Sequence, residues 1–128
     1  MRVALTTYSV KPRGGVVHTL ELAEALQAAG VDVTVVALTD GERGFFRPVD
    51  VPVHLVQARP QRHTLEDRVF DDIAALTEGL TEIADGFDLL HSQDCISARA
   101  AARVRDAGAA FRLVRTVHHV DDFTSQVL

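Results

Sequence analysis

The 128-residue sequence holds one cysteine, one methionine, one tyrosine and no tryptophan. A lone Cys95 cannot close an internal disulfide, and no Cys/His spacing resembles a structural zinc site, so a disulfide-stapled or zinc-held module is excluded. At the start of a helix, Cys95 is expected to be a small buried hydrophobe. Long hydrophobic runs are missing too. Residues 1–7 carry one arginine and a short apolar stretch before Thr6 and Thr7. That is neither a secretory signal nor a membrane span, and the expected location is cytoplasmic. No basic run exists and the net charge is −5. Nucleic acid and anionic membrane surfaces are therefore poor partners, and a small ligand suits better. Two phosphate fingerprints are absent: no Gly-x-Gly-x-x-Gly follows the first strand, and no Gly-x-x-x-x-Gly-Lys-Ser/Thr occurs anywhere. A phosphorelay receiver would want acidic residues where this chain has Thr6, Thr7 and Tyr8.

What is present is a strict alternation of strand and helix patterns, with 47% hydrophobic residues to build one core. Residues 2–7 read as a strand, 16–29 as a helix with Gly30 as its C-terminal cap, and 31–38 as a β-branched strand covered on both faces. Turn chemistry over 40–44, Pro48 and Pro52 precede a short strand at 53–57. Thr64 and Asp67 form a capping-box pattern, after which Leu65, Val69, Ile73, Leu76, Leu80 and Ile83 mark one helical face ending at Asp85-Gly86. Residues 87–91 give a fourth strand, 96–107 an alanine-rich helix capped by Gly108, and 111–118 a fifth strand. Residues 121–128 begin something helical.

Five strands separated by helices imply a parallel sheet with helices on both faces, in the order 3-2-1-4-5. Such a Rossmann-like α/β sheet opens a crevice at the carboxyl ends of its strands, between the first and fourth. The chemistry-bearing residues converge there. The loop Lys11-Pro12-Arg13-Gly14-Gly15 runs straight into a helix, whose free amides and positive dipole end suit a phosphate or a polar sugar edge. The fourth strand delivers His91, Gln93 and Asp94; the fifth delivers His118 and His119, with Asp121 and Asp122 beyond. Asp94 is equally suited to cap the helix that follows, and His91 to be a satisfied, buried histidine. A divalent metal held by these His and Asp residues is an alternative, weakened because His118 and His119 are adjacent on a strand and point to opposite faces. A non-catalytic binding or docking module is the other alternative, with Phe45 and Phe46 of the 40–52 loop as contact point or folded onto the sheet edge.

These residues resemble the N-terminal half of retaining family 4 glycosyltransferases, which have the GT-B architecture of two Rossmann-like domains facing across a cleft. Gly14-Gly15 is followed by His18-Thr-Leu-Glu21-Leu22-Ala23-Glu-Ala-Leu26, similar to the family's His-x-x-Glu-Leu-Ala-x-x-Leu. Ala29-Gly30-Val31-Asp32-Val33-Thr34-Val35 is like its Gly-His-Glu-Val-Thr-Val, Asp88-Leu89-Leu90-His91-Ser92-Gln93-Asp94 like its Asp-Val-x-His-x-x-Asp, and Val114-Arg115-Thr116-Val117-His118 like its Val-x-Thr-x-His. The resemblance implies that residues 1–128 form the acceptor-side domain of an enzyme that transfers sugar from a nucleotide-sugar to a hydroxyl-bearing acceptor with retention. Gly14 and Gly15 would contact donor phosphates and acceptor, Gln93 and Asp94 the acceptor, and His118 the reacting centre, with Arg13, His18 and His119 as lesser candidates. His18 is expected on the first helical turn. No cofactor or metal is implied. The partner would be a C-terminal donor-binding domain; without it the fragment is expected to be inactive, and peripheral membrane contact stays open for the whole protein.

Overall fold

A computed structural model describes residues 1–41, 43–60 and 64–117. The sheet has five strands, β1 (Arg2–Thr7), β2 (Asp32–Thr39), β3 (Val53–Gln57), β4 (Leu89–Ser92) and β5 (Arg112–Arg115). Its order is β3-β2-β1-β4-β5, and every pairing is parallel. The connections carry α1 (Gly14–Ala28), α2 (Leu65–Ile83) and α3 (Cys95–Asp106), with a short 3-10 turn over Ala84–Gly86. The expected fold class, order and both-face covering are what the structure has.

Alternation along the strands sorts the core into two layers. Ala4, Val36, Leu38 and Leu90 meet Leu76 and Leu80 of α2 and Ala100, Ala101 and Val104 of α3 on one face. Val3, Leu5, Val33 and Val35 meet Leu20 and Ala23 of α1 on the other. Helix ends follow local chemistry. Thr64 Oγ1 accepts from the Asp67 amide at 3.0 Å and opens α2. Gly30, at φ 88°, closes α1: its amide donates to the Gln27 carbonyl, and that of Val31 to Leu26. A side chain there would meet the strain that L-residues suffer at positive φ, which is why glycine stands at this turn.

Three elements have a boundary that differs from the sequence pattern by more than one residue. Helix α1 begins at Gly14 rather than Val16, because Arg13 is already extended and its carbonyl accepts from the Val17 amide at 2.9 Å. The double glycine is therefore the first turn of the helix, and neither residue has positive φ. Strand β4 runs later than residues 87–91, since Asp88 is turned to bond Arg2: its amide donates to the Arg2 carbonyl and its carboxylate accepts from the Arg2 amide. Strand β5 ends at Arg115 rather than running on to His118; His118 and the residues after it lie outside the described residues.

The 40–52 loop folds back onto α1. Arg47 makes a forked pair with Glu24, Nη2 to Oε1 at 2.7 Å and Nη1 to Oε2 at 3.1 Å, while Gln27 Nε2 donates to the Asp50 carbonyl. Phe45 packs into the α1 layer, whereas Phe46 stays 41% exposed. The hydrogen-bonded Arg47 guanidinium, against some desolvation and with help from the Asp50 amide, holds the Glu24 carboxyl below its ordinary value of 4.5. A depressed carboxyl pKa adds stability above the unfolded value and loses it as pH falls through the folded one. The melting-temperature gap between the native chain and Arg47→Met is therefore expected to be full above pH 4.5 and to close below it.

Close approach of α2 to β3 rests on Gly79. A Cβ there would lie 2.6 Å and 2.8 Å from the two γ carbons of Val56. Gly79→Ala gains about 1 kcal/mol of helix propensity but overpacks a branched side chain that cannot swing away. A net loss of roughly 1–2 kcal/mol is expected in urea unfolding, and Gly79→Ala combined with Val56→Ala should recover part of it.

Candidate functional site

At the carboxyl edge between β1 and β4, the sequence builds a helix start without neutralising it. Helices α2 and α3 are capped by Thr64 and Asp94, and α2 carries Glu66 and Asp67 in its first turn. The N-cap of α1 is Arg13, with no side-chain cap and no acidic residue in its first turn. The first amides of a helix have no intrahelical acceptor, so the start of α1 presents donors and positive potential to the crevice. Thr19 Oγ1 donates to the Gly15 carbonyl at 2.6 Å, fixing that residue from below. A Cβ at Gly14 would meet nothing within 4 Å. Glycine here leaves open space above the helix rather than solving a clash.

Asp94 ties this loop to β4. Its Oδ2 accepts from the Tyr8 amide and from Thr7 Oγ1, both at 3.0 Å, while Oδ1 accepts from the Ser97 amide at 2.8 Å and caps α3. Both carboxylate oxygens thus serve the scaffold; of its two expected roles, the helix cap is the one visible in the geometry. Beneath it runs a buried polar seam. Thr6 Oγ1 and Ser92 Oγ lie 2.8 Å apart, and the Gln93 amide and Ser97 Oγ both donate to the Thr6 carbonyl. Gln93 is only 2% exposed, with Nε2 directed at the His91 carbonyl at 3.4 Å. His91 is half-buried and its Nε2 shares a hydrogen bond with Thr116 Oγ1, so it is satisfied as the sequence suggested.

Arg13, Gly15, Gln93 and Asp94 therefore meet around one cavity of about 240 Å³, together with Thr7, Tyr8, Val16, Arg115 and Thr116. Sequence reasoning missed Tyr8 and Thr116; their position directly after β1 and β5 was the available signal. Gly14 is exposed beside this cavity rather than in its wall. His18 is also exposed and, with α1 starting early, sits on the second turn rather than the first. Cys95 is exposed, not buried, because α3 buries the stripe of Ser97, Ala100, Ala101 and Val104 and position 95 lies off it. His118, His119, Asp121 and Asp122 lie outside the described residues. Among the described residues no group of three His, Cys, Asp or Glu side chains is placed to hold a metal, and no helix is long and apolar enough to cross a membrane.

A larger cavity of about 430 Å³ opens on the β1–β2–β3 side of the same edge, between the loop after β1 and the start of α2. Tyr8 and Arg13 line both cavities, with the Arg13 guanidinium carbon 5.7 Å from the Tyr8 ring centroid. Burial pushes the Asp72 carboxyl in its wall above the usual aspartate range, opposed by Arg68 and reinforced by Asp71 and Asp40.

A family model described as "Glycosyl transferase 4-like domain" matches residues 13–127. No curated protein sequence matches the chain. Among solved structures, it is similar to a sucrose-phosphate synthase from Thermosynechococcus elongatus, with 21% identity, TM-score 0.70 and 93% of the chain covered. It is similar to Anabaena HepE in complex with UDP and glucose, with 20% identity, TM-score 0.61 and 93% covered. Acinetobacter baumannii MurG follows at 12% identity and TM-score 0.56, with 90% covered. These likenesses establish the fold. The chain spans 64%, 30% and 34% of those three structures.

The Asp94 carboxylate separates into a cap and a tether. Asp94→Ala removes both and is expected to cost about 2–3 kcal/mol. Asp94→Asn keeps an oxygen for the Ser97 amide but turns a donor toward Tyr8, so it should recover about 1 kcal/mol of that loss. Hydrogen exchange at the Tyr8 amide should quicken in both variants; unchanged protection in Asp94→Ala would show that the tether carries no load.

Proposed function

The chain belongs to the glycosyl transferase 4-like domain family, and we propose that residues 1–128 are the acceptor-side half of an enzyme that moves a sugar from a nucleotide-sugar to a hydroxyl group, with retention of anomeric configuration. One observation carries this: an uncapped helix start, flanked by Arg13 and open above Gly14, faces the crevice between β1 and β4. Helix amides and a guanidinium are suited to the diphosphate of a donor and to the negative charge that develops there as the sugar leaves. A nucleoside diphosphate is also what the Anabaena structure is described as holding.

In this mechanism Gly15 gives the donor phosphates a backbone amide, Arg13 supplies a charge-assisted donor, and Tyr8 and Asp94 hold the loop that carries them. His118, at the end of the segment following β5, would hydrogen-bond the reacting sugar and steady its charge. The phosphates are met by protein groups, so the mechanism calls for no metal. A second, donor-binding domain would supply the remaining contacts, in line with the greater length of the structures the chain resembles. The chain alone should hold a nucleoside diphosphate no better than millimolar, about −4 kcal/mol, and should not turn over.

Steady-state turnover by the whole enzyme tests the assignment. His118→Ala should lower turnover by a factor of about a hundred with melting unchanged, and His119→Ala should be milder. Gly15→Val places a branched side chain over the amides; because Gly15 has no positive φ, it should weaken donor binding with little loss of stability. Normal turnover in both His118→Ala and Gly15→Val would remove the rim from the mechanism.

A further inference from the structure

Thr116 lines the smaller cavity, and His91 stands behind it without reaching the wall. The register sets His91 opposite Val114, and alternation brings Thr116, two residues on, back to the same sheet face. The Thr116 amide is fixed by the Ser92 carbonyl at 3.0 Å, so the hydroxyl cannot drift from the imidazole whose Nε2 shares its hydrogen bond.

That bond has two forms, because a hydroxyl owns a single proton. When Nε2 is bare, Thr116 donates to it and shows the cavity only lone pairs. When Nε2 carries hydrogen, Thr116 accepts, and its own proton can turn into the cavity. Neutral imidazole permits either form; imidazolium, with hydrogen on both nitrogens, permits only the second. An acceptor-only anion against Thr116 is therefore stabilised by the second form alone, and the ring charge adds to the attraction.

The charged groups around His91 are Arg112 and Arg115 on β5 and, at the cavity, Arg13 and Asp94. Both Asp94 oxygens are taken by Thr7, Tyr8 and Ser97, so neither competes for the ring. Leu5 and Thr6, the β1 residues beside His91, carry no charge. Helix α1 lies over β1 and β2 with His18 and Glu21 exposed, and α3 packs on the other sheet face.

We propose that His91 is a positioning residue for this cavity. Acting through Thr116, it converts the wall from hydrogen-bond acceptor to donor, so that an acceptor-only anion binds the imidazolium form more tightly and its binding draws a proton onto His91. That the anion is a donor phosphate rests on the function proposed above; the coupling rests on the His91–Thr116 bond.

Histidine-ring NMR of the chain, titrated from about pH 5 to about pH 8 with and without sodium sulfate, tests it. Sulfate only accepts and does not titrate in this range. Sodium chloride at equal ionic strength is the reference, and His91→Gln assigns the signal. Sulfate is expected to raise the midpoint of the His91 titration by about half a pH unit, which corresponds to about threefold tighter binding to the protonated ring. Thr116→Val, of the same shape without the hydroxyl, should abolish the rise, and Thr116→Ser should restore it. No rise in the native chain would overturn the proposal. So would an equal rise in Thr116→Val, which would show charge attraction without a relay. Backbone amide shifts at Gly15 and Val16 keep the two readings apart. Sulfate shifts there with an unmoved His91 would leave the anion seat and remove the relay, whereas a Thr116-dependent rise at His91 without them would keep the relay and move the anion away from the start of α1. Neither response would overturn both.

Discussion

Strand β1 is hydrogen-bonded along both edges, to β2 and to β4, and its residues 3–7 are buried. Its residues must therefore satisfy two helical layers and two neighbouring strands at once, and its end is the point where chain connections depart to opposite sides of the sheet. Tyr8, Arg13 and the first turn of α1 all hang from that end. Parallel pairing brings Ser92 opposite Thr6, so Asp94, two residues on, reaches the Tyr8 amide across 86 positions of sequence. The rim is thus a consequence of register.

Polar burial reinforces that register. Thr6, Thr7, Ser92, Gln93 and Ser97 are all buried in a region where an unpaired polar group costs about 1–3 kcal/mol. Among the described residues no buried side-chain polar atom lacks a partner. A one-residue slip between β1 and β4 would separate Thr6 from Ser92 and strand several of these groups together. Apolar residues tolerate approximate packing; this seam does not, which is why a sheet end rich in Thr and Ser can be rigid enough to carry a site.

The two cavities are neighbours because a short loop after β1 serves both. Arg13 is extended, its carbonyl starts α1 and its side chain lies over Tyr8. One side of that pair faces helix amides; the other faces mixed charge from the segments after β2 and β3 and from α2.

Periodicity, caps and turn residues in the sequence determined the five strands and three helices seen among the described residues, their order and the helix ends at Thr64, Gly30 and Gly108, because each follows from chemistry within a few residues. The family pattern was legible for the same reason, as short motifs at strand ends. Tertiary structure alone decided the rest. That Gly14 and Gly15 form a helix turn depended on where Arg13 became extended; that Cys95 is exposed depended on how α3 docks. That Asp94 is spent on Ser97, Tyr8 and Thr7 depended on a pairing between segments far apart in the chain. The mixed-charge cavity draws its wall from the loop after β1, the end of β2, the segment after β3 and α2, none of which signals it alone. Local preferences are written in neighbouring residues, whereas partners across a parallel sheet are set by register and packing, which exist only once the chain has folded.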